Sequence, residues 1–181
     1  DNTRSRGLGD VYKRQNVFSS KVENITDIAS EIKRLGALTN TQKQATQLSN
    51  DFLNELAELR SKYDKSSLIP IFYYSWTAPL MTIGPNAWGN QLLTVCGAQT
   101  LFADSPVDYP QVALKDVLTR QPHALIAASK STHSELEVFW RDHRSFLKAP
   151  LIVVDPDVTS RFSLRLINEL KVLCKGIKES A

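Results

Sequence analysis

The chain has 181 residues, of which 42% are hydrophobic and 23% charged, and its formal net charge is +3 at pH 7. These are ordinary values for a globular protein. Residues 1–15 hold four basic residues against two acidic ones, which leaves a charge of only +1 for the rest of the sequence. A nucleic-acid partner is therefore not expected, and no apolar run reaches the roughly 18 residues that a transmembrane helix needs.

The first segment, residues 1–15, is DNTRSRGLGDVYKRQ and has neither a hydrophobic period nor the apolar core of a signal peptide. It resembles translated sequencing-adapter DNA, in which DVYKRQ is the recognisable string. We interpret it as a non-native leader, with a native amino-terminal tail as the alternative. If the chain is truncated at this point, the lack of a signal peptide carries no information about the compartment.

A strand and two helices are predicted next. A short strand is expected at 16–22, followed by a helix that Asn24 caps and that Gly36 ends. Residues 41–63 carry an apolar side chain at every third or fourth position, which predicts one continuous helix of roughly 35 Å with a single buried stripe. The stripe comprises Ala45, Leu48, Phe52, Leu56, Leu59 and Tyr63. A helix of this length can contact two lobes.

The remaining sequence alternates strands with helices. Strands are predicted at 68–74, 100–103, 123–128 and 151–154, and helices at about 88–96, 115–118, 133–146 and 160–177. This alternation predicts the α/β class with a parallel, doubly wound sheet. The expected organisation is a remnant of an amino-terminal lobe at 16–38, an interdomain helix at 39–65 and a carboxyl-terminal ligand-binding lobe at 66–181.

The loops that follow the predicted strands are the candidate ligand site, because ligands bind at the carboxyl ends of the strands in such sheets. Their side chains are aromatic, hydroxylic or charged, a mixture that suits a bulky and partly apolar ligand. They are Ser75, Trp76, Thr77, Asp104, Asp108, Tyr109, Ser129, Lys130, Ser131, Asp155, Asp157 and Arg161.

Several of these side chains have a second interpretation. Trp76, like Trp88, either stacks on a ligand or fills space beneath its loop. Asp155 and Asp157 either bind a cation or cap the following helix. Arg161 and the arginine one turn later either anchor a ligand or form a solvated pair.

The sequence lacks the Gly-rich phosphate loop, the G-x-S-x-G elbow and the H-E-x-x-H motif of common enzyme classes. His123, His133 and His143 are spaced by ten residues, which is not the spacing of helical metal ligands, so no metal site is predicted. A binding role without catalytic residues is therefore expected. Cys96 and Cys174 are compatible with one disulfide or with two buried thiols, and their spacing leaves both open.

Several strings together resemble one family. Residues 69–177 contain IFYYSWTAPLMTIGPNAWGNQLL, VCGAQTLFAD, DYPQV and QPHALIAAS, followed by D-x-x-x-R-x-S-x-R before the last helix. In this order they resemble the carboxyl-terminal lobe of the periplasmic cobalamin-binding proteins of ABC importers. The upstream string ENITDIASEIKRLGAL and the long helix resemble the end of the first lobe and its link. The resemblance covers residues 16–178 and implies a periplasmic binding protein whose two lobes are joined by one rigid helix, with the first lobe mostly missing here.

The resemblance also implies roles for individual ligand-site residues. Tyr109 stands where the family usually has a tryptophan that lies against the corrin. A phenol keeps the flat face of that side chain and adds a hydroxyl group. Asp157 and Arg161 match residues that reach polar edges of the ligand, and Trp76 lies in the loop that lines the cleft.

Two further features follow from the resemblance. Cys96 and Cys174 match the family's disulfide, which favours an oxidising compartment. The acidic residue that the family presents to arginines of the membrane component aligns with Lys115, and the adjacent Asp116 points about 100° away around the helix. Because a reversed charge disfavours docking, we expect the permease contact to move to Asp116 or to be made differently.

The resemblance therefore implies a monomer that captures cobalamin and passes it to the permease and ATPase of an ABC importer. Cobalamin would be the cargo, and no cofactor is expected. A ferric siderophore or haem is the alternative ligand, although an anionic siderophore favours several cleft-facing arginines. A structural or docking module is the alternative from a different class. With the other half of the cleft missing, the chain by itself is expected to bind cobalamin weakly.

Overall fold

The computed structural model describes residues 18–180, so the leader predicted at 1–15 lies outside the described residues. The elements in chain order are α1 (Asp27–Leu38), α2 (Gln42–Tyr63), β1 (Ile69–Thr77), β2 (Leu80–Thr82), α3 (Trp88–Val95), β3 (Ala98–Thr100), α4 (Leu114–Arg120), β4 (Ala124–Ala128), α5 (His133–Trp140), β5 (Leu151–Val154), α6 (Pro156–Thr159) and α7 (Leu166–Glu179). A short 3₁₀ helix, Arg141–His143, follows α5. The predicted alternation of strands and helices is confirmed.

The five strands form one sheet in which β1 is central. β1 is parallel to β3 on one side and to β4 on the other, and β5 lies parallel to β4 beyond it. Since the chain winds away from β1 in both directions, the predicted parallel, doubly wound sheet is confirmed. β2 is an addition that the sequence pattern did not predict. It pairs antiparallel with the carboxyl end of β1, where Trp76 lies opposite Met81.

Two hydrophobic cores cover the two faces of the sheet. Ile71 and Ile126 belong to the core that helices α1, α2, α3 and α7 cover. Phe72 and Leu125, which adjoin Ile71 and Ile126 in their strands, belong to the second core, which contains Trp140 of α5. Successive residues of a strand point to opposite faces, so strands buried on both sides need continuous apolar sequence.

Helix α2 confirms the predicted continuous helix and most of its stripe. Five of the six predicted stripe positions are buried: Ala45, Phe52, Leu56, Leu59 and Tyr63. The exception is Leu48, which is 40% exposed, and the neighbouring Ser49 is buried in its place. The Ser49 hydroxyl oxygen lies 2.8 Å from the carbonyl oxygen of Ala29 and 2.7 Å from that of Ala45, and its single proton is shared between them. These bonds satisfy a polar group at the tight contact between α1 and α2.

The start and end of α1 differ from the prediction. Residues 18–22 form no strand. The carboxylate of Asp27 accepts hydrogen bonds from the backbone N–H groups of Glu23 and Asn24, so the helix begins at Asp27 rather than after an Asn24 cap. Gly36 does not end the helix. A Cβ atom there would lie 2.2 Å from the Cβ of Ala45, so glycine permits the close approach of α2.

The bounds of β3 and of the last helix also differ from the prediction. Strand pairing explains the first difference and a side-chain cap explains the second. β3 was expected at 100–103 but lies two residues earlier, where it pairs with the first residues of β1. The helix expected at 160–177 is split into α6 and α7. The side chain of Asp155 accepts from the backbone N–H of Asp157, and Pro156 occupies the first turn of α6. This cap starts a separate short helix ahead of α7.

Cys96 and Cys174 form a disulfide with their Cα atoms 4.7 Å apart. It joins the end of α3 to α7, as the family resemblance implied and as the spacing alone left open. Within residues 18–180, no helix is both long and apolar enough to cross a membrane.

Candidate functional site

A crevice opens where β1 and β4 end, side by side at the centre of the sheet. It encloses about 280 Å³. Its lining comprises Tyr74, Ser75, Trp76, Thr77, Ala78, Ala128, Ser129, Ser131 and Leu136. Chain winding reverses between β1 and β4, and such a point is where doubly wound sheets bind ligands. The crevice is therefore the natural floor of a ligand site.

Trp76 forms one rim of this crevice. Its side chain is 64% exposed, and its Nε1 donates to the carbonyl oxygen of Ala78 at 3.2 Å. Beneath it, the hydroxyl of Tyr74 accepts a hydrogen bond from Nε1 of buried Trp140 at 2.9 Å. The indole of Trp76 thus presents an exposed apolar face over a rigid aromatic floor.

Tyr109 is a second exposed aromatic side chain, with 60% of its surface accessible. Its loop is fixed on both sides, because the carbonyl oxygens of Asp108 and Pro110 accept from the N–H groups of Gly84 at 2.7 Å and Thr82 at 3.0 Å. Gly84 is required there, since a Cβ atom would lie 2.1 Å from the carbonyl oxygen of Val107. The backbone that carries Tyr109 therefore has little freedom to move.

Trp76, which the sequence placed in a loop but which lies in the last residues of β1, and the loop that carries Tyr109 lie along the same edge of the sheet. Met81 pairs with Trp76 on one side and forms an isolated bridge with Gln111 on the other. Tyr109 is two residues from that bridge. The two exposed aromatic residues thus belong to adjoining segments at the carboxyl end of β1.

A charged cluster lies beyond the ends of β4 and β5. The Nζ of Lys130 is 2.5 Å from Oδ1 of Asp155 and 3.0 Å from Oδ2 of Asp157. The Oδ1 of Asp157 is 3.2 Å from Nη2 of Arg161. The sequence placed these side chains in two separate loops, and the structure brings them together because Ala128 and Val154 are paired strand ends.

The same contacts shift the pKa values of two groups in the cluster. The hydrogen bond from Lys130, followed by that from the backbone N–H of Asp157, lowers the pKa of Asp155. The two carboxylates, Asp155 first, raise the pKa of Lys130. Both residues are therefore charged at neutral pH. Asp155 also caps α6, as one of the two predicted interpretations required.

Trp88 fills space rather than lining the crevice. Its Nε1 donates to the carbonyl oxygen of Thr159 at 2.7 Å, and it is half-buried. Phe162 packs edge-on against it with ring centroids 4.6 Å apart. Phe162 falls within the helix predicted at 160–177, but it lies before α7 and is 48% exposed. Its position beside Arg161 adds a third exposed aromatic side chain to this edge of the sheet.

Lys115 and Asp116, the predicted docking residues, are both exposed in the first turn of α4. Near them, Arg120 makes a two-pronged ion pair with Asp104, at 2.7 Å and 2.9 Å. The Arg120 guanidinium also lies 4.5 Å from the centroid of the Phe102 ring. This pair fixes the loop after β3 to α4.

A larger groove of about 660 Å³ runs between α2 and α7. Its walls carry lysines and glutamates, and the ion pair of Lys171 with Glu55 joins them. α2 ends just before β1 begins, so this groove lies towards the amino ends of the strands. Size alone is a poor guide here, and the smaller crevice is the better candidate. Within residues 18–180, no three His, Cys, Asp or Glu side chains are placed to hold a metal ion.

With this geometry in place, comparison with known proteins identifies the class. Residues 12–144 match the periplasmic binding protein family, and the chain belongs to that family.

Among curated relatives, the vitamin B12-binding protein of Salmonella choleraesuis (strain SC-B67) is 34% identical over 157 residues. The match covers 86% of this chain and 58% of the relative. The vitamin B12-binding protein of Pectobacterium carotovorum subsp. carotovorum (strain PC1) is 30% identical, and the match covers 86% of this chain and 56% of that relative. The chain thus spans less than two thirds of the length of these relatives.

Solved structures show the same fold. The periplasmic vitamin B12 binding protein BtuF of Vibrio cholerae matches with a TM-score of 0.80 and 24% identity, over 96% of this chain and 69% of that one. The periplasmic heme binding protein HutB of Vibrio cholerae matches with a TM-score of 0.78 and 12% identity, over 94% of this chain and 71% of that one. Since the fold is shared by proteins named for different ligands, it does not identify the ligand.

Proposed function

We propose that this chain is part of a solute-binding protein that captures cobalamin and delivers it to an ABC importer. One observation carries the proposal. Two exposed aromatic side chains, Trp76 and Tyr109, lie at the same carboxyl edge of the sheet as the Asp157–Arg161 ion pair. The names of the curated relatives support the same ligand. Cobalamin would be the cargo and would undergo no reaction.

The chemistry of cobalamin fits these side chains. The corrin is a broad, largely apolar ring against which flat aromatic side chains pack. Its rim carries amide groups, which accept hydrogen bonds from a guanidinium and donate them to a carboxylate. Arg161 and Asp157 would meet such amides while Trp76 and Tyr109 cover the ring.

Haem or a ferric siderophore is the second candidate, because haem-binding proteins share the fold. Both ligands are anionic and favour arginines that are not already matched by carboxylates. Here Lys130 and Arg161 face Asp155 and Asp157 at hydrogen-bonding distance, so the cluster is balanced. This balance favours an uncharged ligand rim and hence cobalamin.

We also propose a periplasmic monomer whose α4 docks on the permease of an ABC importer, the permease being in complex with its ATPase at the inner membrane. The exposed position of Lys115 and Asp116 supports a docking role for this helix. The charge reversal at Lys115 makes Asp116 the residue on which a permease arginine would act.

Ligand selectivity tests the proposal. Equilibrium dialysis would compare cobalamin, haem and a ferric siderophore against the same chain at equal concentrations. We expect cobalamin to bind most tightly, with a dissociation constant weaker than about 1 μM because only one side of a cleft is present among these residues. Tighter binding of haem or the siderophore would overturn the ligand assignment. Submicromolar binding of cobalamin would contradict the expectation that a second lobe completes the cleft.

A further inference from the structure

Lys130 joins two loops that are far apart in sequence. It bonds to Asp155, which lies 25 residues further along the chain. It follows β4, and its ammonium group contacts one carboxylate oxygen of Asp155 and one of Asp157, both after β5. Asp155 Oδ1 also accepts from the backbone N–H of Asp157 at 2.8 Å. Lys130 therefore joins the end of one strand to the capped start of α6 on the next.

The carboxylate of Asp157 is shared between two cations. Its Oδ2 faces Lys130 at 3.0 Å, and its Oδ1 faces Arg161 at 3.2 Å. A carboxylate and a guanidinium left to themselves favour two parallel hydrogen bonds. Here Oδ2 contacts Lys130 instead, and the Asp157–Arg161 pair has a single bond.

Arg161 consequently keeps donors available. Its side chain is 67% exposed, and among the described residues only its Nη2 makes a side-chain hydrogen bond. The Nε and Nη1 groups stay open to whatever occupies the cleft. A planar fork with unused N–H groups suits several amide carbonyl oxygens on a ligand rim.

We propose that Lys130 is a positioning residue that keeps Arg161 open for the amide rim of the ligand by holding Asp157 in a bridging position. This inference rests on the proposed cobalamin function for its ligand and adds a residue that the family resemblance did not assign. Lys130 also balances the charge of the cluster, which then has two cations, Lys130 and Arg161, for the two carboxylates of Asp155 and Asp157. Its loss would leave two carboxylates against one arginine and would close that arginine onto Asp157.

Three variants test the assignment. Lys130→Met removes the bridging charge, and Lys130→Arg retains a cation that reaches both carboxylates. Lys148→Met is the matched control, since Lys148 is an exposed lysine that precedes β5 at the opposite edge of the sheet. Cobalamin affinity would be measured for each variant by equilibrium dialysis. The ¹⁵Nε–H resonance of Arg161 would be recorded by NMR without ligand.

We expect Lys130→Met to weaken cobalamin binding about fivefold, with Lys130→Arg restoring it to within about twofold and Lys148→Met leaving it unchanged. In the free protein, only Lys130→Met should shift the Arg161 resonance and slow exchange of its Nε proton, as a second bond to Asp157 forms. These spectral changes do not depend on ligand and would not follow from a general loss of stability.

An unchanged Arg161 resonance in Lys130→Met would overturn the proposal whatever the ligand. Cobalamin binding that is equal in wild type and Lys130→Met would also overturn it, while leaving the proposed function intact. If the wild-type chain bound haem but not cobalamin, the proposed function would fail, and the Arg161 resonance alone would decide the role of Lys130.

Discussion

At the scale of single residues, the binding surface depends on side chains that are exposed without being loose. Trp76 is held by one hydrogen bond to the carbonyl oxygen of Ala78, and Tyr109 is carried by a loop bonded to Gly84 and Thr82. An exposed aromatic group whose backbone is fixed loses little entropy on binding. Because such a side chain is exposed, removing it should change the free energy of unfolding little.

Replacing Trp76 tests this view. Trp76→Ala should weaken cobalamin binding by about 1–2 kcal/mol, because the indole supplies flat apolar contact area. Trp76→Phe, the control, keeps a flat face and should lose less. Urea denaturation should give the same midpoint for all three proteins, since the side chain is largely exposed. Equal affinities of wild type and Trp76→Ala, measured by dialysis, would remove Trp76 from the site.

Exposed residues at the strand ends could be named from local sequence, whereas roles that depend on tertiary contacts could not. Trp76 and Tyr109 could be named because they follow the predicted strands 68–74 and 100–103. In the structure Trp76 lies within the longer β1 and Tyr109 in a loop, and both are exposed at the carboxyl edge of the sheet. The bridging role of Lys130 could not, because it depends on β4 and β5 lying side by side. Trp88 was ambiguous from sequence, and only its bond to Thr159 shows that it is packed.

At the scale of elements, β5 has the bounds that its apolar run predicted, and α2 begins one residue later than predicted. β3 was displaced because pairing with Ile69–Ile71, not apolar content, fixed its register. β2 was missed because three residues carry no readable period. α6 was missed because its start depends on a side-chain cap that competes with the continuous helix predicted there.

Gln91 of α3 holds the segment that leads into α1. Gln91 accepts from the backbone N–H of Ile25 at 3.2 Å through Oε1 and donates to the carbonyl oxygen of Glu23 at 2.8 Å through Nε2. Gln91→Leu leaves the half-buried N–H of Ile25 without its partner. We expect a loss of about 1–3 kcal/mol in stability and faster amide exchange at Ile25.

Gln91→Glu is the matched control for this prediction. A carboxylate keeps the acceptor for the N–H of Ile25 but lacks the donor to Glu23. Exchange at Ile25 should therefore stay slow in Gln91→Glu and become fast in Gln91→Leu, as measured by hydrogen–deuterium exchange. Slow exchange in both variants would show that the glutamine does not hold this segment.

At the scale of the whole molecule, the disulfide is the long-range covalent constraint among the described residues. Cys96 and Cys174 are 78 residues apart in sequence. The chain-entropy model gives about 4–5 kcal/mol for closing a loop of this length, as an upper value. The Cys96→Ala/Cys174→Ala double variant should therefore unfold at clearly lower urea concentration than the oxidised protein. Wild type with reductant is the control, and an unchanged midpoint in both would contradict a stabilising role.

The fold class and family resemblance were predictable because order and spacing of many weak strings identify a family better than any single motif. The lobe arrangement predicted for residues 16–38, 39–65 and 66–181 stays a prediction. The ligand was less predictable, since structures named for vitamin B12 and for heme share this fold. We propose that charge separates the two ligands and that the cluster of Lys130, Asp155, Asp157 and Arg161, formed by tertiary contacts, sets it.

The central claim is that cobalamin binds at the carboxyl edge of this sheet, and an NMR titration tests it most directly. A ¹H–¹⁵N correlation spectrum of the chain would be followed as cobalamin is added to millimolar concentration, which detects weak binding. The account predicts progressive shifts of the Trp76 indole, Tyr109 and Arg161 signals, with the α2–α7 groove unaffected. No shifts at these residues, or shifts confined to Glu55 and Lys171 in that groove, would contradict it.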